Sequence, residues 1–294
     1  MEMTEARHVP LPPFAAYSGS RRPKMLLVGE AFGESEAQLK KPFVGESGKL
    51  LWLMLGEAMP LVEPELHEKA TQLHKYGLAW VGKRDDWLNA AGIGMTNVLA
   101  MRPPSNKLDE LCLSKKELNK GYNLPPLAFG KYLKEDYLSE LNRLGEEISE
   151  TQPNLIVALG NTACWAILKA TNIGGIRGNI TESIGFLPKD MTRVGFKYKT
   201  LPTYHPAGVM RQWAWRPIVV ADLMKGAREA EWPEIRRPKR RVKINPTIEE
   251  IEQWINQTLA SPPSCLSCDI ETAKGLINRI GFARSTNDAI VLPF

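Results

Sequence analysis

A chain of 294 residues with 43% hydrophobic residues can bury one sizeable core and a small second one, so a globular protein is expected. No apolar run is long enough to span a bilayer, and the opening stretch, 1–13, lacks the cationic and then apolar layout of a signal peptide. Four cysteines, Cys112, Cys164, Cys265 and Cys268, are too few and too unevenly placed for a disulfide framework, which points to a reducing, cytoplasmic setting.

In chain order, an arm over 1–23 precedes "KMLLVG", Lys24 to Gly29, a buried parallel strand, and Ser47 to Met54 then carries helix-compatible apolar residues. "GIGMTNVLAM", Gly92 to Met101, is a second strand, halted by Pro103 and Pro104. An amphipathic helix within "YLSELNRLGEEISET" leads through Gln152-Pro153 to the strand Leu155 to Leu159, a turn at Gly160-Asn161 and a helix from Thr162. A last strand, Tyr198 to Thr203, runs into "YHPAGVMRQW". The alternation predicts an α/β domain over 24–228, a three-layer sandwich around a central, mostly parallel sheet, with functional loops at the carboxyl ends of its strands.

The formal net charge of +5 is modest but uneven, because "RRPKRRVK" gathers Arg236, Arg237, Lys239, Arg240, Arg241 and Lys243. Such a run stays solvated and attracts phosphates, so 229–245 reads as a linker, either simply solvated or tracking DNA. Beyond it, 246–294 offers one helix, with Ile248, Ile251, Trp254, Ile255 and Leu259 on one side, and three short strands. This is an incomplete α+β segment, expected to be the start of a larger module. Cys265 and Cys268 form a lone CxxC without a second ligand pair, so they read as strand residues rather than a zinc site.

Four stretches fall at strand ends, "GEAFGESEAQLKKPFVGESGKLL", "TNVLAMRPPSNK", "LIVALGNTACWAIL" and "TYHPAGVMR", and "IRGNI" lies between the last two. Together and in this order they resemble the motifs of the family 4 uracil-DNA glycosylases, over about Lys24 to Leu223. The resemblance implies Glu30 as the carboxylate that holds or activates water at the anomeric carbon, against the plain alternative of a loop cap. It implies His205 as the donor to uracil O2, against a histidine satisfied within a turn. By the same resemblance Asn97 reads the base edge, Phe43 stacks on the base and Glu36 helps close the pocket, although a turn asparagine and a core phenylalanine are the ordinary alternatives. Arg102 and Arg211, with Arg236, Arg237, Lys239, Arg240 and Arg241, are the expected DNA contacts, and Trp213 or Trp215 could serve as a wedge.

Several departures accompany the resemblance, among them Lys40-Lys41 in place of the glycine before the Pro-Phe step. Family members hold an iron-sulfur cluster on four cysteines, yet the arm here has none and Met101 stands where one is usual, so no cluster is expected. Phe32 replaces a proline and Glu46 a basic residue beside the pocket. "CDIET" places Asp269 and Glu271 on one face of a strand, and with "RIGFA" it resembles the first motif of the DEDD-type 3′ to 5′ exonuclease domain of family A DNA polymerases. That resemblance implies the N-terminal part of a phage-type polymerase, with Mg at the exonuclease site only in a longer chain. The expected partners are DNA and such a polymerase module, with no membrane and a monomeric chain. Two further readings stay open: a catalytically silent DNA-binding module serving an attached polymerase, and a single-strand binder that extracts no base. A cavity filled by Phe32 between Glu30 and Phe43 would favour the silent module.

Overall fold

The computed structural model describes residues 8–59, 68, 72, 80–183, 197–237 and 239–294. The chain divides into two units, Met1–Ile235 and Arg236–Phe294. In the first, a six-stranded sheet is built from β1 (Ser18–Gly19), β2 (Met25–Ala31), β3 (Ile93–Leu99), β4 (Leu155–Leu159), β5 (Thr181–Glu182) and β6 (Lys199–Thr203). The strand order is β1-β3-β2-β4-β6-β5. The four central strands run parallel, and the two-residue edge strands β1 and β5 pair antiparallel.

Alternation along β2 explains the layers, since successive side chains of a strand point to opposite faces. Met25 and Leu27 enter one core with Leu51 and Leu55 of α2 (Glu46–Ala58), Trp87 of α3 (Trp80–Ala90) and Leu223 of α7 (Arg216–Glu229). Leu26 and Val28 enter the other with Leu144 and Ile148 of α4 (Leu138–Thr151) and Trp165 of α5 (Gly160–Leu168). Two short helices complete the set used below, α1 (Glu34–Leu39) and α6 (Pro206–Arg211).

The second unit is a four-stranded sheet of β7 (Arg241–Ile244), β8 (Ser267–Ala273), β9 (Leu276–Ser285) and β10 (Asp288–Pro293), in the order β8-β9-β10-β7. Its helix α8 (Ile248–Ala260) begins at a capping box formed by Thr247 and Glu250. One sequence expectation is corrected. Residues 241–244, assigned to the solvated linker, form a strand that pairs parallel with β10, from Arg241 opposite Asp288 to Ile244 opposite Val291. Val242 and Ile244 alternate with the basic residues, and that period of two lets the stretch enter a sheet despite its charge. Ile270, Leu276 and Ile277 are all exposed on the sheet.

Candidate functional site

Parallel pairing of β2 with β3 places Gly29 opposite Asn97, which unites two motifs far apart in sequence. Gly29 is required by close approach: a Cβ there would lie 2.2 Å from Asn97 Oδ1 and 2.5 Å from Phe43 Cζ. Glu30 follows on the same strand, and its Oε2 accepts a 2.5 Å hydrogen bond from the Thr162 hydroxyl at the start of α5. β6 ends at Thr203, and His205 caps α6. The strand ends therefore deliver Glu30, Asn97 and His205 to one mouth of the sheet, and all three line a cavity of about 610 Å³ together with Phe43, Glu36 and Arg211.

The imidazole of His205 is held in a defined state. Its Nδ1 accepts the backbone N–H of Ala207 at 3.1 Å, so in the neutral ring the proton sits on Nε2. Burial lowers the proton affinity of this histidine below the ordinary 6.5, an effect opposed by Glu30 and reinforced by Arg211. The result is a neutral ring that offers an N–H donor. The Phe43 ring lies 6.2 Å from the imidazole, tilted by 31°.

Phe43 has a backbone φ of +55°, a left-handed conformation that ordinary residues rarely adopt. The turn around it is held from two sides. Glu36 Oε1 accepts the N–H groups of Val44 at 3.1 Å and Gly45 at 2.8 Å. Arg84 of α3 donates Nη1 to the carbonyls of Pro42 at 2.8 Å and Phe43 at 3.0 Å. Glu36 thus spends an oxygen on the loop backbone as well as lining the cavity. Neither Thr162 nor Arg84 was expected from the sequence. Thr162 could have been found as a hydroxyl just after a strand end, but nothing marks Arg84 within the charged run Lys83 to Asp86.

Phe32 is buried in a small apolar cluster with Ala16 and Ala100, and the cavity remains open beside it. A volume of about 610 Å³ lies within the range of about 300–1,000 Å³ typical of small-molecule pockets, so a flipped base has room. Of the expected DNA contacts, Arg211 is exposed at the cavity rim. Arg102 is exposed and lies 3.8 Å from Glu34 as a loose ion pair. Trp213 is 61% exposed, whereas Trp215 stacks on Tyr204 with ring centroids 4.1 Å apart, so the two candidate wedges differ sharply.

In the second unit Arg236, Arg237, Lys239 and Arg240 are exposed, while Arg241 belongs to β7 and pairs with Asp288 at 3.1 Å. Asp269 and Glu271 are exposed on β8. No group of three or more His, Cys, Asp or Glu side chains is arranged for a metal ion among the described residues.

The thiols do not fit a four-thiolate cluster. Cys112 and Cys164 are both buried and donate to the carbonyls of Leu108 and Ala158. Cys265 and Cys268 belong to the other unit. Met101 instead packs at the margin of the apolar core that contains Val98, Leu111 and Leu141.

A model of the Uracil DNA glycosylase superfamily matches residues 16–224. Three relatives carry the description Type-4 uracil-DNA glycosylase. The protein of Saccharolobus solfataricus is 25% identical over 213 residues, covering 70% of this chain and 71% of its own length. That of Archaeoglobus fulgidus is 28% identical over 212 residues, covering 70% and 77%. That of Thermotoga maritima is 26% identical over 211 residues, covering 70% and 78%.

Proposed function

Because the chain belongs to the uracil DNA glycosylase superfamily, we propose that it hydrolyses the N-glycosidic bond of uracil in DNA, with Glu30 and His205 as its principal groups. The observation that supports this most is the neutral His205 ring, with its Nε2 proton fixed by the Ala207 amide, on the wall that also carries Glu30. In the reaction the C1′–N1 bond breaks, its electron pair leaves with the uracil, and a water oxygen bonds to C1′ while its proton passes to the Glu30 carboxylate. His205 Nε2–H stabilises the negative charge that builds on uracil O2. A neutral donor in a dry site is worth on the order of ~3 kcal/mol there. Glu30, oriented by Thr162, stabilises the cationic sugar and orders the water. Phe43 stacks on the extracted base and Asn97 bonds its edge.

Single-turnover excision from oligonucleotides with one uracil, followed by alkali cleavage, tests this reading. The chain should give abasic product, and Glu30→Ala and His205→Ala should each slow it by about 100-fold or more. Absence of product from the unaltered chain, with DNA binding retained, would instead make the module a silent DNA-holding one.

For the metal chemistry we propose no iron-sulfur cluster, on the ground of the protonated, core-facing thiols. Purified protein should hold no stoichiometric iron. For the second unit we propose an exonuclease-like segment that serves a polymerase, supported by the adjacent carboxylates Asp269 and Glu271 on β8. Two-metal hydrolysis requires more acidic ligands than this pair, so Mg should elicit no nuclease activity.

A further inference from the structure

Arg84 is a fully buried cation more than 40 residues from the motif it serves, and it cannot touch DNA. Its guanidinium meets the carbonyls of Pro42 and Phe43 through Nη1, and Ser18 Oγ at 2.8 Å and Asp85 Oδ1 at 3.0 Å through Nη2. Asp85 also takes Lys41, at 3.2 Å, so the residue before the turn is fixed by the same carboxylate. On the other side of the turn Glu36 takes the next two amides, of Val44 and Gly45. Consecutive peptide groups from Pro42 to Gly45 are therefore held between a cation that donates to their carbonyls and an anion that accepts from their N–H groups. A buried charge is retained only where it is paired and hydrogen-bonded, and here the bonds of one whole nitrogen go to a single turn.

We infer that Arg84 is a positioning residue for the base-stacking Phe43, a role that rests on the glycosylase reading above. With its left-handed backbone, residue 43 would relax toward an extended or right-handed conformation if released, and its ring would swing off the wall formed with Gly29 and His205. Arg84 prevents this by holding the carbonyls on either side of the Phe43 Cα, that of Pro42 and that of Phe43 itself. Because the cation is sealed from solvent, it acts on the base through Phe43 alone and leaves phosphate contacts untouched.

The test compares the full chain with Arg84→Lys, Arg84→Gln, Phe43→Ala and the double variant Arg84→Lys with Phe43→Ala. Arg84→Lys keeps the charge and loses the fork. Its kcat/KM for uracil excision should fall at least tenfold, with the slope of binding against salt unchanged. In the Phe43→Ala background the same change should cost less than twofold. Independently of activity, amide hydrogen exchange at Val44 and Gly45 should accelerate at least tenfold in Arg84→Lys and in Arg84→Gln, while amides of β2 and β4 keep their protection. Unchanged exchange at Val44 and Gly45, or an Arg84→Lys penalty that persists in full without the Phe43 ring, would overturn the role. If the unaltered chain excises no uracil, the glycosylase reading fails, and the exchange data still decide whether Arg84 sets the turn.

Discussion

Thr162 occupies one oxygen of Glu30, and that single contact is open to a clean substitution because valine matches threonine in shape. Thr162→Val should leave the fold intact and slow excision by about 1–2 kcal/mol in the barrier, read by single-turnover rates. His205 carries the pH dependence. Its folded value lies below the ordinary 6.5, so as pH falls the unfolded chain binds the proton first. The contribution of the neutral ring to stability is therefore whole above pH 6.5 and is lost as pH falls below it. Activity should decline on the same acidic side, as imidazolium replaces the fixed tautomer. Thermal unfolding of His205→Asn across this window should lack that component, and a wild-type curve flat below pH 6.5 would contradict it.

The elements themselves depend on one ionic core. Arg143 of α4 pairs with Glu140 at 2.9 Å and Glu147 at 2.8 Å, and it donates to the carbonyls of Asn97 at 2.6 Å and Val98 at 3.1 Å. Glu140 also accepts the Ala100 amide, and Glu147 accepts the Thr96 hydroxyl and the Phe14 amide. This network joins helix, strand end and N-terminal arm. Arg143→Met would remove the cation shared by two buried carboxylates, leaving Glu140 with His8 at 2.8 Å and Glu147 with neutral donors, and should cost about 3–5 kcal/mol in urea denaturation. Periodicity made β2, β3, β4 and β6 legible, because buried parallel strands read as short apolar runs bounded by glycine or proline. It could not reveal β1 and β5, whose two residues carry no pattern, or α3, whose apolar spacing is interrupted by Lys83, Arg84, Asp85 and Asp86. Glu30, Asn97, Phe43 and His205 were legible through the family resemblance of their motifs rather than through periodicity: Glu30 and Asn97 lie near the ends of β2 and β3, His205 lies just beyond β6, and Phe43 lies in the turn between α1 and α2. Arg84, Arg143 and Thr162 were not, because their meaning lies in partners distant along the chain.

At the scale of the whole molecule, the cavity is lined entirely by residues of the first unit. A chain ending at Ile235 should therefore excise uracil at a rate within about threefold of the full chain under single-turnover conditions, provided both are saturated with DNA. Replacing the exposed Arg237, Lys239 and Arg240 by alanine should leave that rate alone and lower the salt slope of single-strand binding by about 0.7 for each phosphate no longer neutralised. Trp213 has one more consequence. Trp52, Trp80, Trp87 and Trp165 are sealed in the cores, whereas Trp213 stands 61% exposed close to Arg211, with the Arg216 guanidinium 5.4 Å from its ring. Sealed indoles emit toward the blue and a hydrated one toward the red; Trp215, Trp232 and Trp254 are half-buried, so Trp213, the most exposed indole, adds most strongly to the red edge of the spectrum. Quenching confined to that edge would report docking of a strand without any label, and Trp213→Phe would turn the signal off.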